Sequence, residues 1–71
     1  MSSLIKRSFS LAGHRTSVAL EIEFWEVLIR TAETRGQSLS AMIAAVDAAR
    51  DPDRSLASAL RVMALVAERA Q

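Results

Sequence analysis

A single β-strand pattern at residues 14–21, HRTSVALE, constrains this chain more than any other feature. Successive residues of this stretch fall on alternate sides of a strand. One side would carry Thr16, Val18 and Leu20, and the other Arg15, Ser17 and Ala19. That period is typical of a strand with one buried and one solvated face. An unpaired strand leaves its backbone donors and acceptors unsatisfied, so this strand must find a partner.

Helical patterns fill the rest of the chain. Apolar positions spaced by three and four residues predict helices over about 22–35, 38–50 and 55–69. Gly36 is expected to end the first helix as a left-handed C′ residue, and Ser38 to cap the second. Pro52 separates the second helix from the third, for which Asp53 or Ser55 is the expected cap. The third helix is apolar on nearly all sides.

Two partners for the strand are open. The segment SFSL at residues 8–11 can fold back through Ala12 and Gly13 as a short hairpin. Alternatively, the same strand of a second copy can pair with it antiparallel across a two-fold axis. A chain of 71 residues buries little apolar surface alone, which favours an oligomer, but these residues leave both partners open.

Charge is distributed unevenly along the chain. Residues 1–15 hold Lys6, Arg7 and Arg15 and no acid, whereas the remaining residues hold six bases and eight acids. The N-terminal part is therefore expected to contact an anionic partner. A basic, serine-rich start is also the composition of an organelle transit peptide, but the strand pattern begins inside it.

Several functional classes find little support in the sequence. The chain has no cysteine and one histidine, so we expect no metal site and no cofactor. No nucleophile, base and orienting residue can be assembled, and we expect no enzymatic activity. No apolar run is long enough for a membrane span, and a cytoplasmic, nucleoid-associated protein is expected. Asp47 is expected to pair with Arg50 or Arg61.

The order of strand, helix, Gly36-x-Ser38-x-Ser40 junction and helix resembles the ribbon-helix-helix domain of the Arc and MetJ repressor class. The tract AGHRTSVALEIEFW…LIRTAETRGQSL further resembles short bacterial members with an added C-terminal helix. The resemblance implies a mainly α fold. Its parts would be a basic arm or short extra strand at 1–13, a ribbon-helix-helix core at 14–50, and a linker with the third helix at 51–71.

The resemblance favours the second copy as the partner of the strand, so that each chain of a homodimer supplies one strand of an antiparallel ribbon. It also implies a mechanism, in which that two-stranded ribbon enters the DNA major groove and the protein represses transcription. Base contacts would come from Arg15, Ser17 and Ala19. Phosphate contacts would come from the start of the second helix and the basic segment, at Ser38, Leu39, Ser40, Lys6, Arg7 and His14. The dimer core would comprise Val18, Leu20, Phe24, Trp25, Leu28, Leu39, Ile43 and Val46.

Two expectations bear on that mechanism. A hairpin through SFSL would widen the ribbon of a dimer to four strands, too broad for the groove. The apolar third helix is not needed by the minimal domain, and it can serve higher oligomers or a protein partner. The alternative function is therefore a protein–protein adaptor or antitoxin-like module acting through that helix, with weak or no DNA binding.

Overall fold

The computed structural model describes residues 3–70 and contains two strands followed by three helices. The strands are β1 (Leu4–Leu11) and β2 (His14–Glu21), and they form one antiparallel sheet. The helices are α1 (Ile22–Thr34), α2 (Leu39–Ala49) and α3 (Leu56–Arg69). The mainly α class is confirmed, and each helix agrees with its predicted range to within one residue at either end.

The partner of β2 lies in the same chain. β1 pairs with β2 along its whole length, from Leu4 opposite Glu21 to Leu11 opposite His14. The strand thus extends well beyond SFSL and takes in most of the segment expected as an arm or a short strand. Residues 1 and 2 of that segment lie outside the described residues. A strand of a second copy could pair only with the outer edge of β1 or of β2, because the inner edges are paired within the hairpin.

A tight two-residue turn closes the hairpin. Ala12 and Gly13 both have positive φ, at 50° and 82°. Positive φ at both central residues defines the type I′ turn, whose twist matches that of the flanking strands. Glycine adopts this conformation without cost, whereas alanine does so with strain.

The helix ends follow the predicted capping. Gly36 has φ of 66°, and the amides of Gly36 and Gln37 donate to the carbonyls of Glu33 and Ala32 at 3.1 and 3.0 Å. These two bonds constitute a Schellman motif. The hydroxyl oxygens of Ser38 and Ser55 accept hydrogen bonds from the amides of Ala41 and Ser58. Of the two caps considered for α3, Ser55 is therefore the one used.

The core lies between the hairpin and the helices and draws on all five elements. Its fully buried members include Leu20, Trp25, Leu28, Ile43 and Leu60. β1 contributes Phe9 and Leu11, which are 6% and 4% exposed. Among the described residues, no buried side-chain nitrogen or oxygen lacks a hydrogen-bond partner. The residues of this core all come from one copy of the chain.

Candidate functional site

The solvent face of the hairpin carries a set of polar and basic side chains. Cross-strand partners in an antiparallel sheet point to the same face, and the register pairs Lys6 with Ala19, Ser8 with Ser17 and Ser10 with Arg15. We call these six residues the outer face. All are exposed except Ala19, which is half-buried. The opposite face packs on the helices through Phe9, Val18 and Leu20.

The outer face holds its polar groups in a fixed order. The hydroxyls of Ser8 and Ser17 lie 3.0 Å apart at its centre. Arg15 stands toward the turn and Lys6 toward α1, one on each strand. Both cations are therefore held on one side of a rigid ribbon, with hydroxyls between them.

Glu21 continues the outer positions of β2, but its carboxylate is engaged elsewhere. Its Oε1 lies 3.0 Å from Nη2 of Arg61 on α3. A hydrogen bond from its own backbone and the contact with Arg61 lower the pKa of Glu21 below its ordinary value of 4.5. The carboxylate therefore stays charged at neutral pH, and its charge is balanced by Arg61 rather than presented with Lys6 and Arg15.

The structure separates the predicted phosphate contacts of the N-terminal segment. Lys6 belongs to the outer face, but Arg7 pairs with Val18 on the face that carries the core. The guanidinium carbon of Arg7 lies 5.6 Å from the centre of the Trp25 ring, in cation–π geometry. His14 is exposed beside the turn and pairs with Leu11, also away from the outer face. Adjacent basic residues in the sequence thus have different environments.

The predicted base contacts of β2 do share a face, as the alternation required. Arg15 and Ser17 are exposed there, opposite Ser10 and Ser8 of β1. Sequence reasoning missed Ser8 and Ser10 as members of the site. The signal was present, since serine alternates with Phe9 and Leu11 in SFSL, and that alternation identifies a strand with one polar face.

The start of α2 is the other predicted phosphate contact. Ser38 and Ser40 are exposed, and Leu39 is half-buried. The Ser38 hydroxyl accepts from the Ala41 amide at 3.0 Å, so it acts as the N-cap of the helix. The geometry therefore gives Ser38 a structural role in addition to the predicted one.

The residues predicted for a dimer core pack within one chain. Five of them are buried: Val18, Leu20, Trp25, Leu28 and Ile43. The other three, Phe24, Leu39 and Val46, are partly buried and pack against the same cluster. The Trp25 indole donates to the carbonyl of Ile5 at 2.8 Å, which joins α1 to β1. Asp47 pairs with Arg50 at 2.9 Å, the first of its two expected partners.

Within residues 3–70 no group of three or more histidine, cysteine, aspartate or glutamate side chains is placed to hold a metal ion. No helix of this part of the chain is both long and apolar enough to cross a bilayer.

The family model for the ribbon-helix-helix domain matches residues 4–67. The chain therefore belongs to the ribbon-helix-helix family, as the strand, the glycine junction and the helix order had indicated. Members of this family are typically DNA-binding transcription regulators. No curated protein and no solved structure matches the chain.

Proposed function

We propose that this protein is a sequence-specific DNA-binding transcription regulator, acting as a repressor, that reads duplex DNA with the outer face of its β1–β2 hairpin. The observation that carries the proposal is the strand register, which collects Lys6, Ser8, Ser10, Arg15 and Ser17 on one exposed face. Membership of a family of DNA-binding regulators supports it. Such a regulator works in the cytoplasm, on the nucleoid.

The dimensions of the hairpin suit the major groove. The groove is about 12 Å wide and admits a two-stranded ribbon. Strands of eight residues extend about 26 Å, and neighbouring strands lie about 4.8 Å apart. A ribbon of four strands, formed by pairing β2 across two copies, would measure about 14 Å between its outer strands alone. We therefore propose that the ribbon completed within one chain is the unit that enters the groove.

The contact residues take different roles in this proposal. The Arg15 guanidinium can donate to O6 and N7 of a guanine together, which makes it the principal reader. Ser17 suits any base, and the half-buried methyl of Ala19 suits a thymine methyl. Lys6 contacts phosphate. By family resemblance, Ser38, Leu39 and Ser40 hold a second phosphate at the start of α2.

We leave two residues of the contact set predicted from the sequence out of this proposal. Arg7 lies over Trp25, and His14 pairs with Leu11, so neither shares the outer face with Arg15. Arg7 is consequently the matched control for Lys6, since the two bases are neighbours in the chain but lie on opposite faces of the ribbon.

The test is a titration of labelled duplex DNA, random and genomic, at two salt concentrations. On a preferred fragment, Arg15→Ala is expected to weaken binding by about 5- to 150-fold, equivalent to about 1–3 kcal/mol. Lys6→Ala is expected to weaken binding to all sequences and to reduce the salt slope by about 1, and Arg7→Ala to change neither. Absence of wild-type binding at low salt, or an Arg15→Ala variant equal to wild type, contradicts the proposal.

The exposed side chains of α3 favour a second candidate function, that of a protein–protein adaptor or antitoxin-like module. Val62, Leu65 and Val66 are large, apolar and 44–57% exposed. The DNA titration separates the candidates, because phosphate contacts are strongest at low salt. Absence of duplex binding under that condition favours the adaptor function over DNA binding.

A further inference from the structure

A large apolar side chain, that of Leu4, lies on the solvent side of the hairpin. Leu4 pairs with Glu21, and the alternation of β1 puts its side chain on the same side of the sheet as Lys6 and the rest of the outer face. It is 55% exposed and is not a member of the buried core cluster, to which β1 contributes Phe9 and Leu11 from the opposite side. The packing of the described core therefore does not account for a leucine at this position.

Ala19 extends this apolar surface onto β2. It lies directly opposite Lys6 and therefore diagonally across from Leu4. Diagonal neighbours on one face of an antiparallel pair are about 7–8 Å apart. Ala19 is half-buried, so its methyl group projects less far than the leucine side chain. We call Leu4 and Ala19 the apolar pair. It lies at the α1 end of the hairpin, whereas Arg15 stands toward the turn.

The charges beside the apolar pair suit the approach of DNA. Glu21 lies opposite Leu4, and its carboxylate is 3.0 Å from Nη2 of Arg61. Lys6 lies two residues along from Leu4, on the same strand and the same side, and is exposed. The phosphates of DNA would therefore meet a cation beside the apolar pair, because the charge of the carboxylate is already balanced by Arg61.

We propose that the apolar pair binds the 5-methyl group of a pyrimidine in the major groove, with Leu4 as its principal contact. This inference rests on the proposed entry of the hairpin into the groove. The 5-methyl group is the apolar feature of a base edge there, and thymine carries it whereas unmodified cytosine does not. 5-Methylcytosine carries the same group at the same ring position. Thymine and 5-methylcytosine are therefore the two sources of this chemistry.

Leu4 and Arg15 act on different base pairs. Ser10, which pairs with Arg15, is six residues from Leu4 along β1, a separation of about 20 Å. Arg15 donates to a guanine near the turn, and Leu4 buries a methyl group near the α1 end of the ribbon. Contacts this far apart generally contribute independently. Loss of the methyl contact should therefore leave the guanine contact in place.

The test replaces single thymines of a preferred fragment by deoxyuridine, which removes the methyl group and keeps the Watson–Crick pairing. Wild type is expected to lose about fourfold in affinity at the thymine that the apolar pair contacts, the effect of one buried methyl group. Leu4→Ala is expected to bind the thymine and deoxyuridine duplexes nearly equally. Leu65→Ala truncates a leucine of α3 that is 52% exposed. It is the matched control and should retain the wild-type preference.

A second set of duplexes distinguishes the two sources of the methyl group. Replacing single cytosines of the same fragment by 5-methylcytosine adds the group without changing the pairing. A gain of about fourfold in wild type that disappears in Leu4→Ala identifies 5-methylcytosine as the source. A loss confined to the deoxyuridine duplexes identifies thymine. Either response supports the proposal when it depends on Leu4.

Failure of this inference differs visibly from failure of the proposed function. A wild type that binds no duplex at low salt contradicts both. A wild type that binds and depends on Arg15, but whose affinity responds to no methyl group or responds equally in Leu4→Ala, overturns the role of the apolar pair alone. Circular dichroism establishes that Leu4→Ala is folded, which is expected because the side chain is exposed.

Discussion

At the scale of single residues, Trp25 joins α1 to β1 through both its ring and its indole nitrogen. It is 1% exposed, its ring centre lies 6.0 Å from that of Phe9, and its indole donates to the Ile5 carbonyl. That carbonyl belongs to a strand on the edge of the sheet, where unpaired backbone groups invite unwanted pairing. Trp25 therefore fills the core and also satisfies the edge of β1.

Replacing this tryptophan by phenylalanine separates its two roles. Trp25→Phe keeps an aromatic ring in the core but leaves the Ile5 carbonyl without its donor. We expect the free energy of unfolding to fall by about 1 kcal/mol, the net contribution of this part-buried hydrogen bond. Urea unfolding followed by circular dichroism measures it. Ile29→Val, at an exposed position of the same helix, is the control, and an equal loss in both variants would refute the role of the indole.

At the scale of elements, the hairpin turn is a point of strain. Ala12 has φ of 50°, a left-handed conformation that disfavours residues with a Cβ atom. Asparagine tolerates this conformation and is the preferred residue before glycine in a type I′ turn. The strand pairing is thus retained despite its turn sequence, through the core contacts of Phe9 and Leu11.

Relieving that strain should stabilise the protein. We expect Ala12→Asn to raise the free energy of unfolding by about 1 kcal/mol and Ala12→Val to lower it, because a β-branched side chain suits positive φ poorly. The midpoint of urea unfolding reports both effects. A common direction of change for the two variants would argue against a type I′ turn in solution.

At the scale of the whole molecule, ion pairs connect elements that are distant in the chain. Arg61 of α3 contacts Glu21 at the junction of β2 and α1, and Arg30 of α1 contacts Glu68 of α3. The second pair is half-exposed on both sides and contributes little, as exposed pairs do. The Glu21–Arg61 pair is less exposed, and it connects α3 to the end of β2.

The Glu21–Arg61 pair predicts a dependence of stability on pH. Because the pKa of Glu21 is lowered in the folded chain, its contribution is complete above its ordinary value of 4.5 and is lost as pH falls through the folded pKa. Wild type should therefore melt at a higher temperature than Glu21→Gln near neutral pH, and the difference should vanish in acid. Glu33→Gln, an exposed change in α1, is the control. A difference that persists at low pH would attribute the effect to packing rather than charge.

The residues of the candidate site could be predicted only where the sequence shows the two-residue alternation of a strand. Alternation in residues 14–21 assigned Arg15 and Ser17 to the solvent face correctly. The segment SFSL was recognised as a possible hairpin strand, but its residues gave neither the full extent of β1, Leu4–Leu11, nor a choice between this partner and a second copy. Lys6 and Arg7 were grouped by charge, although a strand places adjacent residues on opposite faces.

The sequence by itself determined the three helices, the cap at Ser38, the glycine that ends α1 and the two faces of β2, and it limited the cap of α3 to Asp53 or Ser55. These features depend on interactions among residues a few positions apart, so a short stretch of sequence is enough to predict them. Only the tertiary structure decided that β1 is the partner of β2 and that Arg7 lies over Trp25. It also decided that the residues predicted for a dimer core pack together within one chain. Those features depend on the cross-strand register and on the packing of α1 against β1, and both join residues that are distant in the sequence.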